Sequence, residues 1–237
     1  MEEVRGSSPL PPTILQLKAM TEIIYESETL MAVNKPAGVI SEELAKELAE
    51  KKKLSDLPRF GLAHRIDKGT SGVLLFGKEE KSLEELKLKF KKREVKKEYL
   101  ALVWRPMKED EGEVITSMRR SKNDRRKHQS YPPEERGRRA RSRWRVLENF
   151  ENYSLIGVEP ESGRRHQIRS QMAYLGHPIV GDDLYGFKDQ VDPKGVDRLF
   201  LHSLSIEFEM EGKKRFVADP PEEFKKTLKK LRKCQKN

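Results

Sequence analysis

The chain has 237 residues, enough for one sizeable domain with terminal extensions, and 37% of them are charged. No apolar run approaches the roughly 20 residues that span a bilayer, and the N-terminus lacks the basic-then-apolar order of a signal peptide. A single cysteine, Cys234, excludes a disulfide within the chain and favours a cytoplasmic location.

Positive charge is concentrated in two segments. Residues 119–145 contain twelve Lys/Arg and three Asp/Glu, and residues 213–237 contain ten and three. Because the whole chain carries +10, the remainder has a net charge of −6. Basic segments on an acidic body indicate an anionic partner, and a polyphosphate backbone is the natural candidate. The alternative is a solubilising surface or thermophile-type charge enrichment.

The first half of the chain predicts short strands and two amphipathic helices. Residues 1–20, with Gly, Ser and three prolines, are expected to form a flexible leader. Strands are expected at 23–25 and 30–33, and Ser41 can cap a helix that runs to about Lys52. Ser82 and Glu85 form a capping-box pattern for a second helix, and residues 97–103 predict a strand.

The second half predicts further strands around a basic insertion. Residues 107–143 show almost no apolar periodicity, so we expect a long loop or an irregular hairpin, or a segment that orders on RNA. Two strands are expected within 144–158, and then a helix that begins at 161–163 and stops at Gly176. Strands at 200–208 and 215–218 precede a basic C-terminal helix or tail at 221–237. This order predicts an α+β fold with a mixed, largely antiparallel central sheet and flanking helices.

Two polar stretches are candidates for chemistry. Asp67 lies in a loop rich in Gly, Ser and Thr, directly before the apolar run 73–76. The second stretch, 163–169, opens the predicted helix and allows Arg169 to point inward. An inward arginine needs a carboxylate partner because an unpaired buried charge is costly, and Asp67 is our candidate. Such an arginine would keep the carboxylate ionised. The alternative for Asp67 is a loop carboxylate that only caps local amides.

An ordered set of motifs resembles the RluA-type pseudouridine synthases, from about residue 22 to 220. The motifs are Asn34–Gly38, His64–Asp67 with Thr70–Gly72, Lys97 with Tyr99–Val103, Gly137 with Ala140 and Ser142, Gly163–Arg169, Gly176–Ile179 with Gly181–Asp182, and Leu201–Ser203. Ile66 replaces the commoner leucine, Arg165 stands where threonine or serine is usual, and Ser142 replaces a threonine. The Arg-rich insertion follows no pattern of the family.

The resemblance implies a pseudouridine synthase-like catalytic domain at residues 21–220. Such an enzyme flips uridines out of structured RNA, ribosomal or transfer, and isomerises them to pseudouridine. The reaction needs no cofactor or metal, and the histidines and the single cysteine show no zinc-ligand spacing. We expect a monomer because no self-complementary apolar surface stands out.

The resemblance also implies roles for individual residues. Asp67 would act at C1′ as nucleophile or as proton acceptor, and Arg169 would be its ion-pair partner. Tyr99 would stack on the uracil and assist removal of the C5 proton, and Arg65 would fill the space that the flipped base leaves. The further residues expected to bind substrate or RNA are His64, Lys35, Thr70, Arg164, Arg165, His166, Arg125, Arg126, Arg138, Arg139 and Arg141. For His64 and Thr70, hydrogen bonds that shape the loop are the alternative role. Lys35 and His166 would contact phosphate or, equally, be structural.

Two other functions are open. A non-catalytic RNA-binding or ribosome-assembly protein could retain the fold, and an apolar residue or asparagine at position 67 would have favoured it. A glycosidase or nucleoside hydrolase would use paired carboxylates, but the basic segments fit polymeric RNA better than a free nucleoside.

Overall fold

A computed structural model describes residues 21–52 and 54–235, so the leader expected at 1–20 lies outside the described residues. Among them, ten strands form one sheet and four helices pack around it. The strands are β1 (Glu22–Glu26), β2 (Leu30–Lys35), β3 (Ser71–Gly77), β4 (Lys96–Trp104), β5 (Glu111–Arg120), β6 (His128–Tyr131), β7 (Arg138–Asn149), β8 (Tyr153–Pro160), β9 (Leu201–Glu209) and β10 (Lys213–Val217). The helices are α1 (Ser41–Lys52), α2 (Glu80–Lys92), α3 (Gln167–Tyr174) and α4 (Glu222–Cys234).

The strand order is β1-β2-β3-β9-β4-β8-β7-β5-β6, with β10 paired to β9. The pairing is antiparallel except between β3 and β9, where Ser71 lies opposite His202 and Gly72 opposite Ser203. Gly72 has φ +112°, and a Cβ there would lie 2.2 Å from the Ser203 carbonyl oxygen, so only glycine fits this approach. The predicted α+β fold is confirmed, and the β3–β9 contact fixes where the preceding Asp67 loop ends.

Helices α1 and α2 cover opposite faces of β2 and β3. This explains why both strands are continuously apolar rather than alternating. One cluster joins α1 to Met31, Val33, Leu74 and Phe76, and a second joins α2 to Leu30, Ala32, Val73 and Leu75. A third cluster lies between β4, β7, β8, α3 and α4. Phe224 of α4 is completely buried there and stacks on Phe200 at 4.8 Å, so this helix packs into the domain core.

The expectation of a loop or irregular hairpin at 107–143 is wrong. The segment forms regular strands β5 and β6 and the start of β7, in register from Glu111↔Arg145 to Met118↔Arg138. Its buried face alternates as a strand should, but Thr116, Ala140 and Ser142 occupy part of it. Because those residues are small or polar, the period-two pattern is hidden from hydrophobicity alone.

Two helix starts also differ from the prediction. Helix α2 begins at Glu80, and the Ser82 hydroxyl donates to the carbonyl oxygens of Thr29 (2.8 Å) and Glu79 (3.0 Å) instead of capping. Helix α3 begins at Gln167 rather than at 161–163, because His166 adopts a left-handed conformation with φ 56°. The two strands predicted within 144–158 are present as β7 and β8.

Candidate active site

The Asp67 loop is held by hydrogen bonds from both sides. The backbone N–H of Thr70 donates to the Asp67 carbonyl oxygen (3.0 Å), which closes a tight turn. The Ser41 hydroxyl, at the start of α1, donates to the Ile66 carbonyl oxygen (3.0 Å). The N–H of Gly38 donates to the Lys68 carbonyl oxygen (2.8 Å). The carboxylate is thus fixed in position while 24% of its side-chain surface stays exposed.

Arg169 reaches Asp67 but binds another carboxylate more closely. Its NH1 lies 3.7 Å from Asp67 Oδ2. Its Nε and NH2 instead form a bidentate pair with Asp182 at 2.8 and 2.7 Å, and the Asp182 side chain has no exposed surface. The expected inward arginine is therefore present, with Asp182 as its principal partner and Asp67 as the second. Bidentate geometry is the strongest way to orient a guanidinium.

The Tyr185 hydroxyl connects this pair to strand β6. It lies 2.8 Å from the backbone nitrogen of His128, 2.9 Å from the carbonyl oxygen of His128, and 3.0 Å from Nδ1 of His166. His166 Nε2 is 4.0 Å from Asp67 Oδ1. Burial lowers the pKa of His166 to about 4, against the opposing effect of Asp67. The imidazole is therefore neutral at neutral pH, and its contact with Asp67 is not an ion pair.

Tyr99 lies on β4 beside the carboxylate, half-buried. Burial raises the pKa of its phenol to about 12. The phenol is therefore protonated at neutral pH, and its ring is available for stacking.

One pocket collects most of the predicted site residues. Asp67 and Tyr99 line it together with four arginine side chains. The predicted residues in its wall are Arg65, Asp67, Thr70, Tyr99, Arg164, Arg165, His166 and Arg169. The Thr70 hydroxyl and the Arg164 Nε are buried there without a hydrogen-bond partner among the described residues. Buried polar atoms of this kind are rare unless a ligand or water completes them.

Of the two roles expected for Lys35, phosphate contact is wrong and the structural role fits the geometry. Lys35 has 0% exposed surface. Its ammonium donates to the carbonyl oxygens of Pro36 and Val39 (both 2.8 Å) and Lys68 (3.3 Å). Burial lowers its pKa to about 7. Lys35 therefore supports the Asp67 loop from beneath and cannot reach an RNA backbone.

His64 is also inside the fold. It stacks on Phe90 at 4.5 Å, and its Nε2 accepts the backbone N–H of Leu75 (3.1 Å). Burial lowers its pKa to about 3, which keeps it neutral as that acceptor. This geometry matches the loop-shaping alternative rather than RNA contact.

The predicted RNA-binding arginines of the insertion lie outside the pocket. Arg125, Arg126, Arg138 and Arg139 are exposed, whereas Arg141 is half-buried against Glu113 and Glu161. Arg126 pairs with Asp124 at 2.8 Å.

Across the described ranges no cluster of three or more His, Cys, Asp or Glu could hold a metal ion. In the same residues no helix is long and apolar enough to cross a membrane.

Comparisons with known proteins identify the family. A family model described as RNA pseudouridylate synthase matches residues 29–174. An uncharacterized RNA pseudouridine synthase of Synechocystis sp. is 31% identical, and the match covers 94% of this chain and 72% of that protein. Ribosomal large subunit pseudouridine synthase D of Borreliella burgdorferi is 34% identical, and the match covers 85% of this chain and 66% of that protein. The structure of human RNA pseudouridylate synthase domain containing 1 superposes with TM-score 0.75 at 26% identity, over 85% of this chain and 84% of that chain.

The chain therefore belongs to the RNA pseudouridylate synthase family, a class of RNA-modifying isomerases. The resemblance to RluA-type enzymes is confirmed. The chain spans 66% of the length of the Borreliella relative, so that protein's target is not transferred directly.

Two residues of the site were missed from the sequence. Asp182 belongs to one of the motifs that resemble the family, but no role was predicted for it. The signal was that a buried Arg169 needs a strong carboxylate partner, and Asp182 is that partner. Tyr185, three residues later, gave no signal because a single tyrosine in a turn-rich loop fits ordinary packing equally well.

Proposed function

We propose that this protein is a pseudouridine synthase that isomerises uridines in structured RNA, with Asp67 as the catalytic carboxylate. The observation that carries the proposal is the Asp67 carboxylate, partly exposed at the wall of a cationic pocket and 3.7 Å from Arg169. Arg169 is itself fixed by the buried Asp182. A carboxylate held in this way suits attack at an anomeric carbon.

In the proposed reaction the uridine N1–C1′ bond breaks and a C5–C1′ bond forms. C5 loses a proton and N1 gains one, so the substrate rearranges without any oxidant or group donor. Asp67 acts either by bonding to C1′ or by accepting a proton from the sugar, and Arg169, 3.7 Å away, orients the carboxylate for both routes.

Tyr99 is proposed to hold the detached uracil by stacking, which is worth about 1–3 kcal/mol per base. Its high pKa favours this role over that of a ground-state base. The unpartnered Thr70 hydroxyl and Arg164 Nε are proposed to bind polar groups of the flipped nucleotide. Flipping costs a few kcal/mol, which the pocket contacts and the neighbouring Arg65 must offset.

For the target we favour ribosomal RNA, since relatives such as that of Borreliella burgdorferi are named as ribosomal large subunit enzymes. Transfer RNA is the second candidate. We further propose that the protein acts as a monomer in the cytoplasm, where the free, exposed Cys234 suits reducing conditions.

The test is carbodiimide-based mapping of pseudouridines in cells with and without this chain, and in cells that carry Asp67→Asn. We expect one or more sites to vanish without the chain and to stay absent with Asp67→Asn. An unchanged map would contradict the proposal. Recovery of the lost sites by Asp67→Asn would favour a non-catalytic, assembly-type protein.

A further inference from the structure

Strand β7 carries arginines on both of its faces, because side chains alternate along a strand. Ser142 faces α3, where its hydroxyl donates to Gln171 Oε1 (2.7 Å), and Arg138 lies on the same face, opposite Met118 of β5. We call the set on the other face the ladder. The ladder consists of Arg139, Arg141, Arg143 and Arg145.

Carboxylates already neutralise most of the ladder. Among the described residues, Arg139 is its only member without an ion pair. A phosphate would have to compete with a carboxylate at each of the other positions. The pairs are Arg141 with Glu113 (2.9 Å) and Glu161 (3.3 Å), Arg143 with Glu161 (3.6 Å), and Arg145 with Glu98 (2.7 Å).

The arginines on the α3 side differ. We call this set the rim, and it consists of Arg120, Arg138, Arg164 and Arg165. Within residues 21–52 and 54–235, no carboxylate oxygen lies within 4.0 Å, the limit for an ion pair, of any of these four guanidinium groups. In the part of the chain that the structure describes, Arg120 bonds only a backbone carbonyl oxygen, that of Arg125 (2.8 Å), and the Arg164 Nε has no hydrogen-bond partner.

His128, at the start of β6, lies opposite Arg120 of the rim in the β5–β6 pairing. Burial lowers its pKa, and the charges of Arg165, Arg120 and Arg138 lower it further. Its ring centroid is 6.4 Å from that of His166, the pocket residue next to Asp67. Like charges gathered without counter-ions repel one another, and an anionic ligand would relieve that cost.

Two rim arginines, Arg120 and Arg138, lie on the paired strands β5 and β7, and Arg120 lies opposite His128 of the neighbouring strand β6. Strand β6 is bound at His128 through the Tyr185 hydroxyl and at Ser130, whose N–H donates to the Ser170 hydroxyl of α3 (2.7 Å). Phosphates bound to the rim would therefore lie at a defined distance from the pocket.

We infer that the rim binds the RNA phosphates that flank the target uridine, while most of the ladder is a surface ion-pair network whose carboxylates already neutralise it. The inference rests on the proposed function and deepens it, because it names the face across which the RNA backbone runs. It also removes Arg141 from the predicted RNA contacts, since that guanidinium is held by two carboxylates.

The test compares two double variants with equal loss of charge: Arg120→Gln with Arg138→Gln in the rim, and Arg143→Gln with Arg145→Gln in the ladder. The probe is a fluorescent RNA hairpin with unpaired uridines in its loop. Kd is measured from about 50 to 200 mM salt, where each lost phosphate contact lowers the salt slope by about 0.7–0.9. Thermal unfolding checks both variants, and Arg120→Lys with Arg138→Lys retains the charge.

We expect the rim variant to weaken binding at least about tenfold and to lower the slope by about 1.5, with little change for the ladder variant. The lysine version should bind nearly as well as wild type. Equal losses in both variants, or an unchanged Kd in the rim variant, would overturn the inference. A wild-type protein that binds through the rim but forms no pseudouridine would instead contradict the proposed function and leave the rim standing.

Discussion

On one face of β7, Arg143 and Arg145 lie against the carboxylates of Glu161 and Glu98. On the other face, Arg138 has no carboxylate partner among the described residues and shares its neighbourhood with Arg164. Both sets belong to the same basic segment and are indistinguishable by charge count. The difference is one of pairing, and the inference assigns phosphate binding to the arginines on this strand that the fold leaves without a carboxylate.

The same contrast holds between the protein interior and the rim. Lys35 and Arg169 are both basic residues near Asp67. Backbone carbonyl oxygens accept the hydrogen bonds of Lys35, and the buried Asp182 carboxylate accepts those of Arg169. These two residues stabilise the site, whereas the rim arginines are expected to bind RNA phosphates. The predictions below separate the two uses by measuring stability and RNA handling independently.

Arg169→Met should have the largest effect on the fold. It leaves the fully buried Asp182 carboxylate without its partner, and we expect the free energy of unfolding to fall by about 3–5 kcal/mol. Pseudouridine formation should be lost as well. Denaturant unfolding measures the first and single-turnover assays the second. A stability loss below about 1 kcal/mol would show that the pair does not hold the site.

Lys35→Met should come next. It removes the donor that three backbone carbonyl oxygens share, and an unsatisfied buried group costs about 1–3 kcal/mol. We expect a loss of about 3 kcal/mol by the same unfolding measurement. The control is Lys46→Met, an exposed lysine on α1, which should be nearly neutral. If the two variants lost equal stability, Lys35 would not be a structural cation.

Tyr185→Phe should have a smaller effect. Only a hydroxyl is removed, and the loss of stability should be about 1–2 kcal/mol. Since strand β6 then loses its link to His166, turnover should fall about tenfold more than RNA affinity. Tyr174→Phe, on the exposed end of α3, is the control. Equal turnover in the two variants would show that the hydroxyl only fills space.

The sequence allowed the general fold and the pocket to be predicted for different reasons. Apolar runs such as 73–76 and the spacing of turns predicted the α+β sheet, which the structure has. The pocket residues could be proposed because ordered motifs resembled a known family, and Asp67, Tyr99 and Arg169 do line one cavity.

Other features could not be read from residue types. Strands β5 and β6 were missed because Thr116 and Ser142 bury polar groups that α3 satisfies through Gln171, a contact between distant segments. Likewise, Lys35 looks like a surface cation in the sequence, and only the surrounding carbonyl oxygens show that it is enclosed. Pairing across the sheet, rather than composition, decided which arginines remained free.

The central claim is that the Asp67 carboxylate performs the chemistry while the rim cations bind the RNA. Asp67→Asn in single-turnover assays on one RNA tests this claim most directly. We expect pseudouridine formation to fall by at least about 10³-fold while Kd changes less than about threefold. Asp56→Asn, at an exposed side chain outside the pocket lining, should retain normal turnover. Turnover by Asp67→Asn within about tenfold of wild type would contradict the account.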